Sequence, residues 1–253
     1  MTDWCKDFPR TKASFPLTEV LSAADSTNRV VSERDTGSEE HRVVLTSHQK
    51  AGRGRLGRQW RSHPGESLAL SILFPPLSPG HLSWFPVVTG ACLVGALHAA
   101  GVTQAQMKWP NDVLVDGEKL AGILCESLSS GRVVAGIGLN IEFHGNHEPV
   151  PGSVALSRFV GVTHAVVDSI VSDTLLGLRR WSETTPQDAE KEARALVHPV
   201  LATLGQQVSV HEMDDEVWSG TAEGLSPQGH LLVTTPAGEA RVVVASDVRH
   251  LRQ

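Results

Sequence analysis

The sequence predicts an α+β protein, with a mixed β-sheet domain flanked by helices over residues 1–203 and a small C-terminal β-barrel over residues 204–253. Three observations carry this expectation. Apolar, β-branched runs of strand length occur at Arg42–Ser47, Ser67–Phe74 and Arg132–Asn140. Apolar residues recur at helical spacing in between, at Leu82, Phe85, Val88, Ala91, Cys92, Gly95, Ala96 and Ala99. From Gly205 onward the pattern changes to short β-rich runs separated by turns.

Taken in order, residues 1–15 are polar and turn-rich, which predicts loose packing. Pro16–Ala24 reads as a short helix, and Asp25-Ser26-Thr27 supplies capping side chains for a second helix over Asn28–Asp35. Beyond the strands at 42–47 and 67–74, Pro75-Pro76 and Pro79-Gly80 break the chain before the helix through Ala99. Gln106–Lys108 enters a strand that Pro110 ends, and Val113–Val115 with Lys119–Glu126 reads as a hairpin around Asp116-Gly117. In the strand Arg132–Asn140, Gly136 and Gly138 leave room for close approach. Ile141–Gly152 is a loop bearing Glu142, His144, His147 and Glu148; histidines in such loops are usually solvated rather than metal-bound. Helices follow at His164–Trp181 and Gln187–Leu196. The barrel strands are Gln207–His211, Trp218–Ala222, His230–Thr234 and Ala240–Val244, with turns at Asp214-Asp215, Pro227–Gly229 and Pro236–Gly238.

Composition bounds the function. The chain has 253 residues and a formal charge of −6, which counts against a general nucleic-acid binder. Positive charge concentrates instead around residues 50–61. No unbroken run of about twenty apolar residues offers a membrane span, and residues 1–10 contain no apolar signal core. Cys5, Cys92 and Cys125 are too few and too scattered for a disulfide framework or a zinc site. A reducing cytoplasm fits that usage.

The chemistry gathers in the loop Ser47–Trp60, S-H-Q-K-A-G-R-G-R-L-G-R-Q-W. Gly52, Gly54 and Gly57 alternate with Arg53, Arg55 and Arg58, so a permissive backbone carries guanidinium forks suited to phosphate or carboxylate. A lone run of this type is more often a solvated linker. Here it is followed by Lys108-Trp-Pro-Asn-Asp112 and by Lys119-Leu-Ala-Gly-Ile-Leu124.

Together these three stretches resemble the biotin protein ligase family, whose hallmark is a G-R-G-R-x-G-R-x-W loop followed by K-W-P-N-D and K-L-A-G-I-L. The resemblance extends to Asp25-Ser-Thr-Asn28, Gly136-Ile-Gly-Leu-Asn140 and the closing Asp247-Val-Arg-His-Leu-Arg252, and so covers nearly the whole chain. It implies a class II aminoacyl-tRNA synthetase/biotin ligase-like sheet with a C-terminal SH3-like domain. It also implies activation of biotin by ATP as biotinyl-5′-AMP, followed by transfer to a lysine of a biotin carboxyl carrier protein. The residues it implies for biotin are Ser26, Thr27, Asn28, Gln49, Gly52, Arg53, Gly54, Arg55, Lys119, Gly122 and Gly138. For ATP they are Arg55, Arg58, Trp60, Asn111, Asp112, Lys119 and Asn140, with Trp60 over the adenine and Asp112 as a magnesium ligand. Lys119, with Arg53 and Arg55, is the expected catalytic group, although Asp-Gly-Glu-Lys alone reads as a surface hairpin.

Only some two dozen residues precede Asp25, whereas a winged helix-turn-helix needs roughly twice that, so no DNA partner is expected. A monomer or weak homodimer is expected. The nearest alternative is a lipoate or octanoate transferase of the same superfamily; one from another class is a nonenzymatic RNA-binding module.

Overall fold

Two antiparallel-rich sheets organise the computed structural model, which describes residues 3–61, 63–145, 150–212, 216–244 and 247–251. The elements of the first part are α1 (Pro9–Ser14), β1 (Leu17–Leu21), α2 (Thr27–Glu33), β2 (Arg42–Thr46), β3 (Gly52–Arg53), β4 (Gln59–Trp60), β5 (Ser67–Phe74) and α3 (Pro79–Ala99). They continue with β6 (Ala105–Lys108), β7 (Asp112–Val115), β8 (Glu118–Ser127), β9 (Val133–Asn140), α4 (His164–Ser182) and α5 (Ala189–Val197). Strands β1-β2-β5-β9-β8-β7-β6 form a seven-stranded sheet in that order. Only β1 and β2 run parallel within it.

The pleat divides this sheet into two unlike faces. Leu68, Leu70, Ile72 and Phe74 of β5, with Val133, Ala135, Ile137 and Leu139 of β9, turn towards α3 and α4 and join the main core. Each such Leu or Ile, fully buried, contributes about 1.5–3 kcal/mol. The alternate positions carry Ala69, Ser71, Gly136 and Gly138, with Leu73 and Val134 packing on Val31 of α2 at one end. One face is therefore a filled core and the other is largely bare. Helix α3 starts with Ser78 capping the His81 amide and Pro79 in its first turn. By length and composition it could cross a membrane, but 67% of its apolar window is buried in this fold.

The second sheet contains β10 (Gln207–His211), β11 (Val217–Leu225), β12 (Leu231–Thr234), β13 (Ala240–Val243) and β14 (Asp247–His250), ordered β13-β12-β11-β10-β14 and antiparallel throughout. The last strand was not among the expected ones, and the turn at 214–215 lies outside the described residues. Two indoles clamp this sheet to the first. Trp84 Nε1 donates to the Pro227 carbonyl at 2.8 Å, and Trp109 Nε1 donates to the Gly229 carbonyl at 3.1 Å. Gly229 has φ +75, and a Cβ there would lie 3.0 Å from the Trp84 ring, so the position requires glycine.

Two expectations fail. Pro16–Ala24 is not a helix: α1 ends at Ser14, because a residue before proline is disfavoured in the α region, and Leu17–Leu21 becomes an edge strand beside β2. Nor do residues 3–15 pack loosely. Trp4, Cys5, Phe8 and Phe15 are buried. The Asp168 carboxylate, itself buried, accepts from the Arg10 amide at 2.8 Å, the Thr11 amide at 3.0 Å and the Thr11 hydroxyl at 2.7 Å. The cysteines are free, and burial pushes the Cys92 and Cys125 thiols up to about 12.

His41 lies between the edges of Phe15 and Phe74, with centroids 5.9 and 4.7 Å away, and its Nε2 is buried without a hydrogen-bond partner. Burial, reinforced by Arg179 and Arg132, lowers its pKa from 6.5 to about 4. The unfolded chain thus takes up this proton at a higher pH than the folded one, so His41 leaves stability intact above pH 6.5 and removes it as pH falls towards 4. Burial displaces His81 and His250 in the same direction. The loss of denaturant stability between pH 7 and pH 5 is expected to be smaller in His41→Phe than in the parent; equal losses would remove His41 from the account.

Candidate active site

The bare face of the large sheet is made by small residues in cross-strand register. Gly138 of β9 pairs with Gly122 of β8 on one side and Ala69 of β5 on the other, while Gly136 pairs with Ser71 and Leu124. A Cβ at Gly136 would fall 2.1 Å from the Asn28 Oδ1, and one at Gly138 would fall 2.5 Å from the Trp60 ring. These two glycines therefore leave space that other side chains already use.

At one end of this floor lies the start of α2. Thr27 donates its amide to Gln49 Oε1 at 2.9 Å. The Ser71 hydroxyl lies 2.7 Å from the Thr27 hydroxyl and 2.6 Å from the Asn28 Oδ1. Asn28 Nδ2 donates to Glu126 Oε2 at 2.6 Å and to the Leu124 carbonyl at 3.2 Å. Ser26, Thr27, Asn28 and Ser71 are all buried. A set of buried donors and acceptors held this tightly suits a ligand with a planar polar head.

At the other end the charges gather. Lys119 Nζ forms an ion pair with Asp112 Oδ1 at 2.5 Å. Arg55 Nη1 donates to Asn111 Oδ1 at 3.4 Å, whereas Arg53 Nη2 reaches Glu126 Oε1 at 3.1 Å, on the carboxylate that also holds Asn28, and so lies towards the polar end. Arg58 lines the same cleft. The loop that carries these arginines is closed by β3 and β4, where Gly52 pairs with Trp60 and Arg53 with Gln59. Of its three glycines only Gly57, at φ 72, uses the left-handed region; Gly52 is needed because a Cβ would lie 2.5 Å from the Trp60 carbonyl oxygen.

Most of the residues expected to act together thus line one cleft: Ser26, Thr27, Asn28, Gln49, Arg53, Gly54, Arg55, Arg58, Trp60, Asn111, Asp112, Lys119, Gly122 and Gly138. Three placements differ from expectation. Trp60 does not stand free to cover an adenine; its ring lies on the glycine floor, and Lys119 Nζ sits 5.8 Å from its centroid. With that ring inside, the cleft measures about 140 Å³, below the ~300 Å³ at which ligand pockets usually begin. Asn140 is bonded within the fold on both sides: its amide donates to the Lys119 and Val154 carbonyls at 3.2 Å, and its oxygen accepts from the Ser67 hydroxyl at 3.2 Å. Gly52 lines the groove beneath the loop instead of the cleft itself.

Ser71 and Glu126 belong to the site but escaped the sequence reading. Ser71 is a hydroxyl inside the apolar run 67–74, and Glu126 shares a strand face with Gly122, so alternation within β5 and β8 was the available signal. Val248 of β14 also lines the cleft, so the second sheet takes part.

Among the described residues no group of three or more His, Cys, Asp or Glu could hold a metal ion, and His147 and Glu148 lie outside them. Asp112 Oδ1 is buried and, apart from its ionic contact with Lys119, has no hydrogen-bond partner. One carboxylate of this kind fits magnesium held mainly through a ligand's phosphates.

Comparison with known proteins agrees with this geometry. Residues 20–142 match the Biotin/lipoate A/B protein ligase family, and residues 203–251 match the Biotin protein ligase C terminal domain. A biotin–[acetyl-CoA-carboxylase] ligase of Mycobacterium tuberculosis is 33% identical over 92% of this chain and 89% of its own. The bifunctional ligase/repressor BirA of Escherichia coli is 32% identical over 85% of this chain and 68% of its own. Among solved structures, a biotin protein ligase from Aquifex aeolicus in complex with biotin and ATP superposes with TM-score 0.74 at 25% identity, covering 94% of this chain and 100% of that one.

The floor makes one prediction independent of any ligand. Gly138→Ala places a methyl group where the Trp60 ring now lies and is expected to turn that ring outward with little loss of stability. Acrylamide quenching of Trp60, now only partly exposed, should then increase; unchanged quenching would mean that the ring does not depend on this glycine.

Proposed function

The chain belongs to the biotin/lipoate A/B protein ligase family and ends in a biotin protein ligase C-terminal domain, and from that premise we infer that it is an ATP-dependent biotin protein ligase. It activates biotin with ATP and joins it to a carboxyl carrier protein. The observation that carries the reading at this site is the cleft itself, with a polar end at Thr27, Asn28 and Gln49 and a cationic end at Lys119 and Arg55. Biotin has a matching asymmetry, a neutral ureido head and a carboxylate tail. An acyl chain without a polar head, as in lipoate or octanoate, would gain no hydrogen bond from the polar groups at the first end, which is a basis for discrimination.

The proposed roles follow from charge. A carboxylate at neutral pH is a poor electrophile, so the biotin carboxylate first attacks the α-phosphorus of ATP. The bond to pyrophosphate breaks and a mixed anhydride, biotinyl-5′-AMP, forms. The amine of the carrier lysine then attacks the biotinyl carbonyl, and AMP leaves with the electron pair of the acyl–oxygen bond. Both steps collect negative charge between carboxyl and phosphate. We assign its neutralisation to Lys119, held on β8 and paired with Asp112, together with the loop arginines Arg53 and Arg55 that line the same cleft, and give Arg58 the departing phosphates. Asn111 and Asp112 face the nucleotide side, Asp112 being the group that would hold magnesium, whose part is to offset phosphate charge. Asn140 acts through the backbone of Lys119, to which it is bonded. Trp60 and the glycines 122 and 138 shape the slot for the apolar body of biotin.

Further parts of the proposal rest on general features. The chain divides into a catalytic domain to residue 203 and an SH3-like domain from 204. The acidic balance of −6 supports a protein carrier over DNA, the free cysteines support a reducing cytoplasm, and the proposed state is a monomer or weak homodimer.

Incubation with biotin, ATP and a purified carboxyl carrier domain should yield a protein-bound biotin signal that depends on ATP; its absence would overturn the reading. Lys119→Gln is expected to slow biotin-dependent ATP–pyrophosphate exchange by ~10²-fold or more while the thermal unfolding midpoint stays close to that of the parent. Near-normal exchange in this variant would remove Lys119 from the chemistry.

A further inference from the structure

One side chain ties the start of α2 to the arginine loop without having been assigned a part in the site. Glu126 lies on the ligand face of β8, two positions beyond Leu124 and four beyond Gly122. Its Oε2 accepts from Asn28 Nδ2 at 2.6 Å, and Arg53 Nη2 reaches both carboxylate oxygens, Oε1 at 3.1 Å and Oε2 at 3.3 Å. Asn28 has no freedom to adjust, because its Oδ1 meets the Ser71 hydroxyl and lies where Gly136 would carry a Cβ. Arg53 belongs to β3, half of the short ribbon that closes the arginine loop.

Resting on the biotin ligase reading, we propose that Glu126 is a positioning residue for that reaction. It orients Asn28 for the polar head of biotin, and through Arg53 it latches the loop over the cleft before any anion is bound. The argument is one of valence and charge. Once Asn28 is fixed by Ser71, its amide needs an acceptor to point into the cleft wall, and Leu124 O at 3.2 Å is the weaker of the two present. The loop carries three arginines within six residues, so in the absence of ligand they repel one another. A fixed carboxylate on the sheet offsets part of that repulsion at Arg53, in the ribbon that closes the loop. Because Arg53 is about half exposed and Glu126 about a third, the latch is weak, and an arriving ligand anion can take over Arg53 without a large barrier.

Two variants separate these contributions. Glu126→Gln keeps an acceptor for Asn28 but removes the charge that holds Arg53; Glu126→Ala removes both. In the ligand-free protein, tryptic cleavage after Arg53, Arg55 or Arg58 is expected to be about two- to fivefold faster in Glu126→Gln than in the parent, the range that a half-exposed ion pair supports. The parent rate should approach that of the variant as salt is raised. In pyrophosphate exchange, KM for biotin should rise by a similar factor in Glu126→Gln and further in Glu126→Ala, with kcat affected less than KM in both. Unchanged cleavage and KM in Glu126→Gln would overturn the proposal. So would a fall in KM, which would make Glu126 a competitor of the ligand for Arg53, or a loss confined to kcat. The cleavage arm needs no biotin chemistry, so a parent protein inactive in exchange would count against the functional reading and leave the latch to be judged by proteolysis alone.

Discussion

A ligand can reach the centre of the large sheet only because adjacent positions in β5, β8 and β9 carry almost no side chain. Gly122, Gly136, Gly138, Ala69 and Ser71 are neighbours across three strands, and each faces away from the main core. Sheets are usually covered on such a face by helices. Here α2 covers one end through Val31, Leu73 and Val134, and the rest is left to the arginine loop. Every other feature of the site depends on that hollow. Asn28 can point inward because Gly136 yields to it, and Trp60 can lie flat because Gly138 does. The small residues cost little here, because the opposite faces of the same strands carry Leu68, Leu70, Ile72, Ile137 and Leu139, which supply the burial that holds the strands in place.

The cationic end follows a different rule. Lys119 and Arg53 each have a carboxylate partner, and both pairs are partly exposed, Arg53–Glu126 on both sides and Lys119–Asp112 through the lysine, since Asp112 Oδ1 itself is buried. Such pairs contribute at most about 1 kcal/mol, which keeps the site ordered without making its charges unavailable. A buried pair would hold the cations more firmly and would oppose their transfer to a phosphate. The modest strength of these contacts is therefore compatible with catalysis in a way that a stronger network would not be.

How much of this could be read from the chain depended on whether local chemistry or long-range packing decided each element. The hairpin around Asp116-Gly117 was legible because both residues need positive φ, and they adopt 52 and 79. Strand β5 was legible because it is apolar throughout. Strand β1 was not, since an edge strand buried only in part shows no clean alternation and Pro16 mimics a helix start. Residues 3–15 also misled, because their anchors Trp4, Phe8 and Phe15 are spread among polar neighbours and their main partner, Asp168, lies far along the sequence. In the site, the residues named by motif converge on one cleft, while Ser71 and Glu126 are visible only once the register of β5 and β8 is known.

The clamp between the two sheets bears on how the molecule can be re-engineered. Trp84 and Trp109 are fully buried, and each gives its single indole hydrogen to a carbonyl in the turn 227–229. Trp109 is followed directly by Pro110 and Asn111, and Asn111 touches Arg55. A chimera that imports a C-terminal sheet from a relative therefore inherits two obligate acceptor sites at its seam. If the grafted turn presents its carbonyls elsewhere, each stranded indole costs about 1–3 kcal/mol, and the strain is delivered at the edge of the nucleotide side of the cleft. The transferable unit is thus the sheet together with both tryptophans, and a boundary drawn by sequence alone would cut through it.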